Sequence, residues 1–150
     1  MSDTDDKSLQ PYGRMLSIIA KGYLSALNQS LQHLDIDRNY YALLLIANAE
    51  GDITQQELAD LLEIDKVTML RNIDYLSEKG YVKRAKSISD KRKYGLILTD
   101  KAFEALPEIK KSFNLINEIA LKGLTPEQIS DFMSMLQTIK KNLNEYSTNL

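Results

Sequence analysis

Between Thr54 and Leu98 the chain carries two short helical segments joined by a tight turn and followed by two short strand-like runs, an order that few folds accommodate. Thr54-Gln55-Gln56-Glu57 is a capping box: the threonine hydroxyl suits the Glu57 amide, and the Glu57 carboxylate reaches back to the threonine amide. The helix it opens runs through Leu62, and Glu63-Ile64 make the turn. Asp65 caps a second helix that continues to Lys79 and stops at Gly80. The period then changes from helical to alternating. Tyr81 to Lys86 and Tyr94 to Leu98 read as strands, with the polar, basic segment Ser87 to Lys93 as a hairpin tip. Together these elements predict a winged helix-turn-helix, mainly α with a small β component. Such a fold suits duplex DNA, because a helix fits the major groove and a thin hairpin reaches an adjacent minor groove.

The second helix has two distinguishable faces. Met69, Ile73 and Leu76 form a continuous apolar stripe that should face the core. The competing stripe of Val67 and Leu70 ends at Asp74, so Val67, Leu70 and Arg71 are expected outward. Arg71 then suits a guanine edge or a phosphate, and Val67 and Leu70 suit thymine methyls. Thr54, Gln55, Lys66 and Thr68, at or near helix N-termini, are candidate phosphate contacts. In the hairpin Lys86, Lys91, Arg92 and Lys93 supply positive charge, and a tip arginine fits a narrow minor groove. Asp90 repels phosphate as a contact and is expected to brace Arg92 or the turn amides.

The charge distribution agrees with this placement. The 150-residue chain sums to −2, but Lys66 to Lys93 holds nine basic and three acidic residues, so that window is +6 and the remainder −8. A basic segment in an acidic chain is what a local phosphate-binding surface produces. No cysteine is present, which excludes a disulfide framework, a thiolate metal site and a cysteine nucleophile. Met1 to Lys7 is acidic and polar and lacks the order of a signal peptide. No apolar run approaches a membrane span, so a cytoplasmic protein without a membrane partner is expected.

Helices flank this core. A first runs from about Leu9 to Leu31, with Leu16, Ile19, Ala20, Tyr23, Leu24 and Leu27 on one face. A second covers about Asp37 to Glu50, with Tyr41, Leu44, Leu45 and Ala49 inward and Gly51 as its C-cap. After the hairpin, Thr99 caps a helix through about Leu121, where Pro107 predicts a kink or break. Thr125-Pro126-Glu127-Gln128 is a second capping box. The final helix carries the stripe Ile129, Phe132, Leu136, Ile139, Leu143 and Tyr146, too apolar for a free tail.

From Tyr41 to Thr99 the chain resembles the multiple antibiotic resistance regulator (MarR) family of bacterial transcription factors. The resemblance lies in Thr54 to Ala59, Asp65 to Arg71, Leu76, Lys79-Gly80-Tyr81-Val82 with Arg84, Asp90-Lys91-Arg92 and Leu98-Thr99. One departure is Ala102, where the family often has glycine. The resemblance implies one domain over residues 1–150, with the winged core at about 37–99 and dimerisation helices at about 9–31 and 100–147. It also implies a homodimer whose first and last two helices intertwine, gripping a near-palindromic operator. Leu9, Tyr12, Leu136, Ile139, Leu143 and Tyr146 are the candidate interface residues. Two-fold symmetry then sets half-sites about one helical turn apart.

Regulators of this kind commonly repress by occupying promoter DNA and are released by small, often phenolic or anionic effectors. The resemblance places such a site where the dimer helices meet the winged core, here near Tyr12, His33, Tyr40 and Tyr41. The only histidine, His33, lies among Asp35 and Asp37 as a polar loop and not as a metal site. No cofactor is expected. An enzyme is disfavoured, since no phosphate-cradling glycine loop, nucleophile elbow or metal-spaced cluster is present. The rival of a different class is a winged-helix protein-interaction module, against which the basic hairpin and outward Arg71 argue.

Overall fold

The computed structural model describes residues 9–87 and 89–150; the acidic stretch Met1 to Lys7 and Ile88 of the hairpin tip lie outside the described residues. Among the described residues, six helices and one hairpin follow in the order α1 (Tyr12–Leu31), α2 (Tyr40–Asn48), α3 (Gln55–Leu62), α4 (Lys66–Glu78), β1 (Val82–Lys86), β2 (Tyr94–Leu98), α5 (Asp100–Ala120) and α6 (Pro126–Thr148). The chain divides into two compact units, 1–116 and 117–150. This is the winged helix-turn-helix that the sequence predicts. Among the described residues, no helix is long and apolar enough to cross a membrane.

In the first unit the local signals act as expected. Thr54 Oγ1 accepts from the Glu57 amide at 3.1 Å while the Thr54 amide donates to Glu57 Oε2 at 3.0 Å. The turn between α3 and α4 is made by Glu63 in the left-handed region, at φ 53°. Asp65 Oδ1 accepts from the Thr68 amide at 2.8 Å and opens α4. Gly80, at φ 82°, ends α4 and turns the chain into the hairpin. The strands pair antiparallel with Val82 opposite Leu98 and Lys86 opposite Tyr94. A third backbone joins them, since the Leu96 amide donates to the Ile53 carbonyl at 2.8 Å.

Gly95 is where that third segment comes close. A Cβ built there would stand 2.8 Å from the Gly51 carbonyl oxygen and 3.5 Å from that of Ile53. Any larger residue must therefore push the hairpin off the 51–53 backbone. The core beneath is built from Leu43 and Ile46 of α2, Leu58 of α3, Met69, Ile73 and Leu76 of α4, Val82 and Leu96 of the hairpin, and Ala102 and Ile109 of α5. Ala102, the departure from the family pattern, is fully buried, and its methyl packs where a glycine would have none.

Several expectations are corrected. Helix α2 starts at Tyr40 and not near Asp37, because Asp37 and Arg38 adopt φ values of 42° and 68°, outside the helical region. Its inward face is Tyr40, Leu43 and Ile46, whereas Tyr41 is exposed and Leu44, Leu45 and Ala49 are half-buried. The helix is apolar almost all round, so its periodicity carries little information about facing. Pro107 does not break α5, which continues from Asp100 to Ala120. The proline lies on the exposed side, where water can take the Phe103 carbonyl that it leaves unbonded.

Helix α1 begins at Tyr12, with Pro11 at its N-cap, so Leu9 precedes the helix. Of its expected apolar face only Leu27 is buried; Ile19 and Leu24 are exposed, and Leu16 and Tyr23 are half-buried. In the second unit Thr125 and Gln128 form the expected capping box, and Pro126 opens α6. No α6 residue is buried, and Ile139, Leu143 and Tyr146 are 42%, 61% and 65% exposed.

Candidate nucleic-acid interface

Helix α4 presents the two faces that its spacing predicts. Met69, Ile73 and Leu76 are at most 1% exposed, whereas Val67 is 66% and Leu70 48% exposed. Arg71 is also exposed and has no hydrogen-bond or ion-pair partner among the described residues. Exposed apolar side chains flanking an unpaired guanidinium form a surface suited to both the apolar and the acceptor groups of a base edge.

The phosphate-contact candidates differ in what they can offer. Thr54 Oγ1 accepts in the capping box and keeps its hydrogen available. Thr68 does not: its hydroxyl donates to Asp65 Oδ2 at 2.7 Å, leaving only lone pairs facing outward, which an anion does not seek. The same bonds hold the Asp65 carboxyl below its ordinary range, the Thr68 amide first and its hydroxyl second. Gln55 and Lys66 line an open concavity of about 260 Å³ between α3 and α4, with Gln56, Ala59 and Met69.

At the hairpin tip Asp90 is the brace that its charge predicts. Its Oδ1 accepts from the Arg92 amide at 3.0 Å and from Arg92 Nε at 3.1 Å, and its Oδ2 accepts from Nη2 at 3.3 Å. Those bonds lower the Asp90 carboxyl from its usual value. Arg92 remains 91% exposed, so the brace shapes the tip without hiding the cation. Lys86, Lys91 and Lys93 are exposed around it.

Several structural contributors were not assigned from sequence. Asp52, in the connection before α3, accepts from Ser87 Oγ at 2.9 Å and from Ser89 Oγ, anchoring the β1 side of the tip. These hydroxyls lower its carboxyl, Ser89 most. Arg84 of β1 donates to Asp74 of α4 at 2.8 Å and to Gln55 of α3 at 3.0 Å. Asp74 carried a usable signal: an acid on a face meant for phosphate requires a nearby cation. Asp52 carried none, because its partners lie 35 and 37 residues away.

The four expected pocket residues do not meet within one chain. Tyr12 opens α1 and His33 lies just past its end, a separation of about 30 Å along a helix of this length. His33 Nε2 instead meets Glu108 of α5 at 2.5 Å. Tyr41 lies against Phe113, with centroids 6.2 Å apart. Tyr40 alone of the four is buried, at 3% exposure, and its buried hydroxyl has no hydrogen-bond partner among the described residues. Burial pushes its phenol up, with Arg38 opposing. It lines a cavity of about 210 Å³ with Asn28, Gln32, Asp35, Arg38 and Tyr75. Among the described residues no three metal-ligating side chains come together.

Comparison with known proteins agrees with this architecture. A MarR family model matches residues 36–93, the whole helix-turn-helix and the hairpin up to β2. The uncharacterised HTH-type transcriptional regulator YybA of Bacillus subtilis (strain 168) is 26% identical over 130 residues, 87% of either chain. A MarR family transcriptional regulator from Listeria monocytogenes, solved in complex with 26mer DNA, is similar at a TM-score of 0.80 and 26% identity, covering 91% of each chain. A MarR protein from Peptoclostridium difficile reaches a TM-score of 0.81 at 25% identity, over 100% of this chain and 97% of its own. With its capped helix pair, its outward arginine and its braced basic hairpin, the chain is similar to the MarR family of transcriptional regulators across its winged helix-turn-helix.

Proposed function

We propose that the protein is a sequence-specific, double-stranded DNA-binding repressor that occupies a near-palindromic promoter site as a homodimer. The observation that carries this reading is the outward face of α4, where exposed Val67 and Leu70 flank an unpaired Arg71 beside a basic, braced hairpin. The similar Listeria protein, solved with DNA, supports it. The exposed apolar residues of α1 and α6 support a homodimer, because bare apolar stripes of this length favour a partner. A promoter-bound regulator acts where the chromosome is, in the cytoplasm, and catalyses no reaction.

The effector reading keeps Tyr12, His33, Tyr40 and Tyr41 as candidates where the dimer helices meet the winged core, and Tyr40 is the one that lines a cavity. Its unpartnered hydroxyl and the neighbouring Arg38 offer a donor and a positive charge to a small aromatic or anionic ligand. Such a ligand acts only by binding the DNA-incompetent state more tightly.

Fluorescence anisotropy with the chain's own upstream promoter tests the reading, using wild type, Arg71→Ala and Arg92→Ala over a range of salt. Wild type should prefer the promoter to random duplex, and Arg71→Ala should lose roughly 1–3 kcal/mol of that preference. Sequence-independent binding by wild type would move the target to another site. No binding at low salt would replace this reading with a winged-helix protein-interaction module.

A further inference from the structure

Arg84 sits mid-strand in β1, opposite Leu96, and its guanidinium reaches two other elements at once. Nη2 donates to Asp74 Oδ1 of α4 at 2.8 Å and to Gln55 Oε1 of α3 at 3.0 Å, while Nε donates to the same glutamine oxygen at 3.3 Å. One side chain therefore connects the hairpin to both helices of the helix-turn-helix. The chemistry of the two partners makes this more than a tie. A guanidinium has five donors and no acceptor, so it can hold only the oxygen of a carboxamide. Gln55 must then turn its NH₂ away from Arg84, and that group has no acceptor among the described residues. Gln55 also lines the concavity between α3 and α4 that Lys66 shares. The arrangement supplies two neutral N–H donors next to a cation, which matches the oxygens of one backbone phosphate. Arg84 meanwhile neutralises Asp74, whose bare carboxylate would otherwise repel the same strand.

We propose that Arg84 is a positioning residue for DNA binding. It fixes the Gln55 amide with its donors toward a phosphate seated beside Lys66, and it sets the hairpin against α4 through Asp74. The proposal rests on the DNA-binding reading above and adds how the phosphate contact is oriented. Without Arg84 the Gln55 amide rotates freely and presents its oxygen to the phosphate as readily as its nitrogen.

The test is a double-mutant cycle with the full-length chain and its promoter duplex, titrated at several salt concentrations. Arg84→Ala should weaken binding about tenfold, the scale of hydrogen bonds to a charged group. It should leave the slope of log affinity against log salt unchanged, because Arg84 itself displaces no counterion. Lys66→Ala should reduce that slope by about one. Gln55→Ala should weaken binding, and Arg84→Ala with Gln55→Ala should be no weaker than Arg84→Ala alone, since the two act as one unit. Gln55→Glu keeps an acceptor for Arg84, and so the melting temperature, yet lacks the NH₂; it should bind at least as poorly as Gln55→Ala. Arg84→Lys, which keeps the charge beside Asp74 but not the planar fork that also holds Gln55, should bind more weakly than wild type without losing further affinity on Gln55→Ala, and carries the cycle if Arg84→Ala fails to fold. A slope lowered by about one in Arg84→Ala would make Arg84 a direct phosphate contact and overturn the proposal. Additive losses, or unchanged affinity, would overturn it as well. Absence of wild-type binding at low salt would fail the DNA reading itself, and the proposal with it; wild-type binding with an additive cycle would fail the positioning role alone.

Discussion

Asp52 and Asp90 show how much a single carboxylate contributes to the hairpin. Both carboxyls lie lower in the folded chain than in the unfolded one, Asp52 through Ser89 and Ser87, Asp90 through Arg92. Their contribution is therefore complete above the ordinary carboxylate range and fades as pH falls through the lowered folded values. Hydrogen exchange should show tip amides such as Ser87 and Lys93 equally protected, after correction for intrinsic rates, from neutrality down to that range and less so below it. Loss of protection near pH 6 would point to another group. Asp52→Ala should release the tip at neutral pH, with faster exchange at the Ser87 amide, which bonds the Lys93 carbonyl at 2.8 Å. The Asp90 brace could be read from sequence because Arg92 is two residues away, whereas the anchor from Asp52 could not, since its partners come near only once the hairpin has folded back.

Elements with strong local signals were legible, and those without were not. Capping boxes, Asp65 and Gly80 fixed α3, α4 and α6 to within a residue, because each signal satisfies backbone groups that the helix ends leave open. The face of α4 followed from one charged residue, Asp74, ending the wrong stripe. Helix α2 has no such marker, and its orientation came instead from the left-handed turn at Asp37 and Arg38. The face assignment predicts opposite outcomes for neighbours on α4. Ile73→Ala should cost about 2–5 kcal/mol in urea unfolding, as for other large-to-small core changes. Leu70→Ala should change stability by less than about 0.5 kcal/mol while weakening DNA binding. Thr54→Ala should cost about 1 kcal/mol by removing one half of the capping box. Equal stability losses for Ile73 and Leu70 would show the α4 face to be misassigned.

At the scale of the whole molecule, the exposed apolar residues of α1 and α6 carry the prediction. Under the homodimer reading, Ile139→Glu with Leu143→Glu should sediment as a monomer and lose most affinity for a two-half-site duplex. Unfolding of the winged core should still be cooperative. A double variant that stays dimeric would move the interface off α6. The winged core raises a different matter through Gly95. The hairpin there lies directly on the 51–53 backbone and shares a hydrogen bond with Ile53, so the half of β2 next to the tip is held to the connection from α2 to α3. A tip displaced by a bent or widened groove then acts as a lever whose fulcrum is that connection. The displacement is carried into α2, which bears Tyr40 at its N-terminal end, instead of being absorbed by a loose flap.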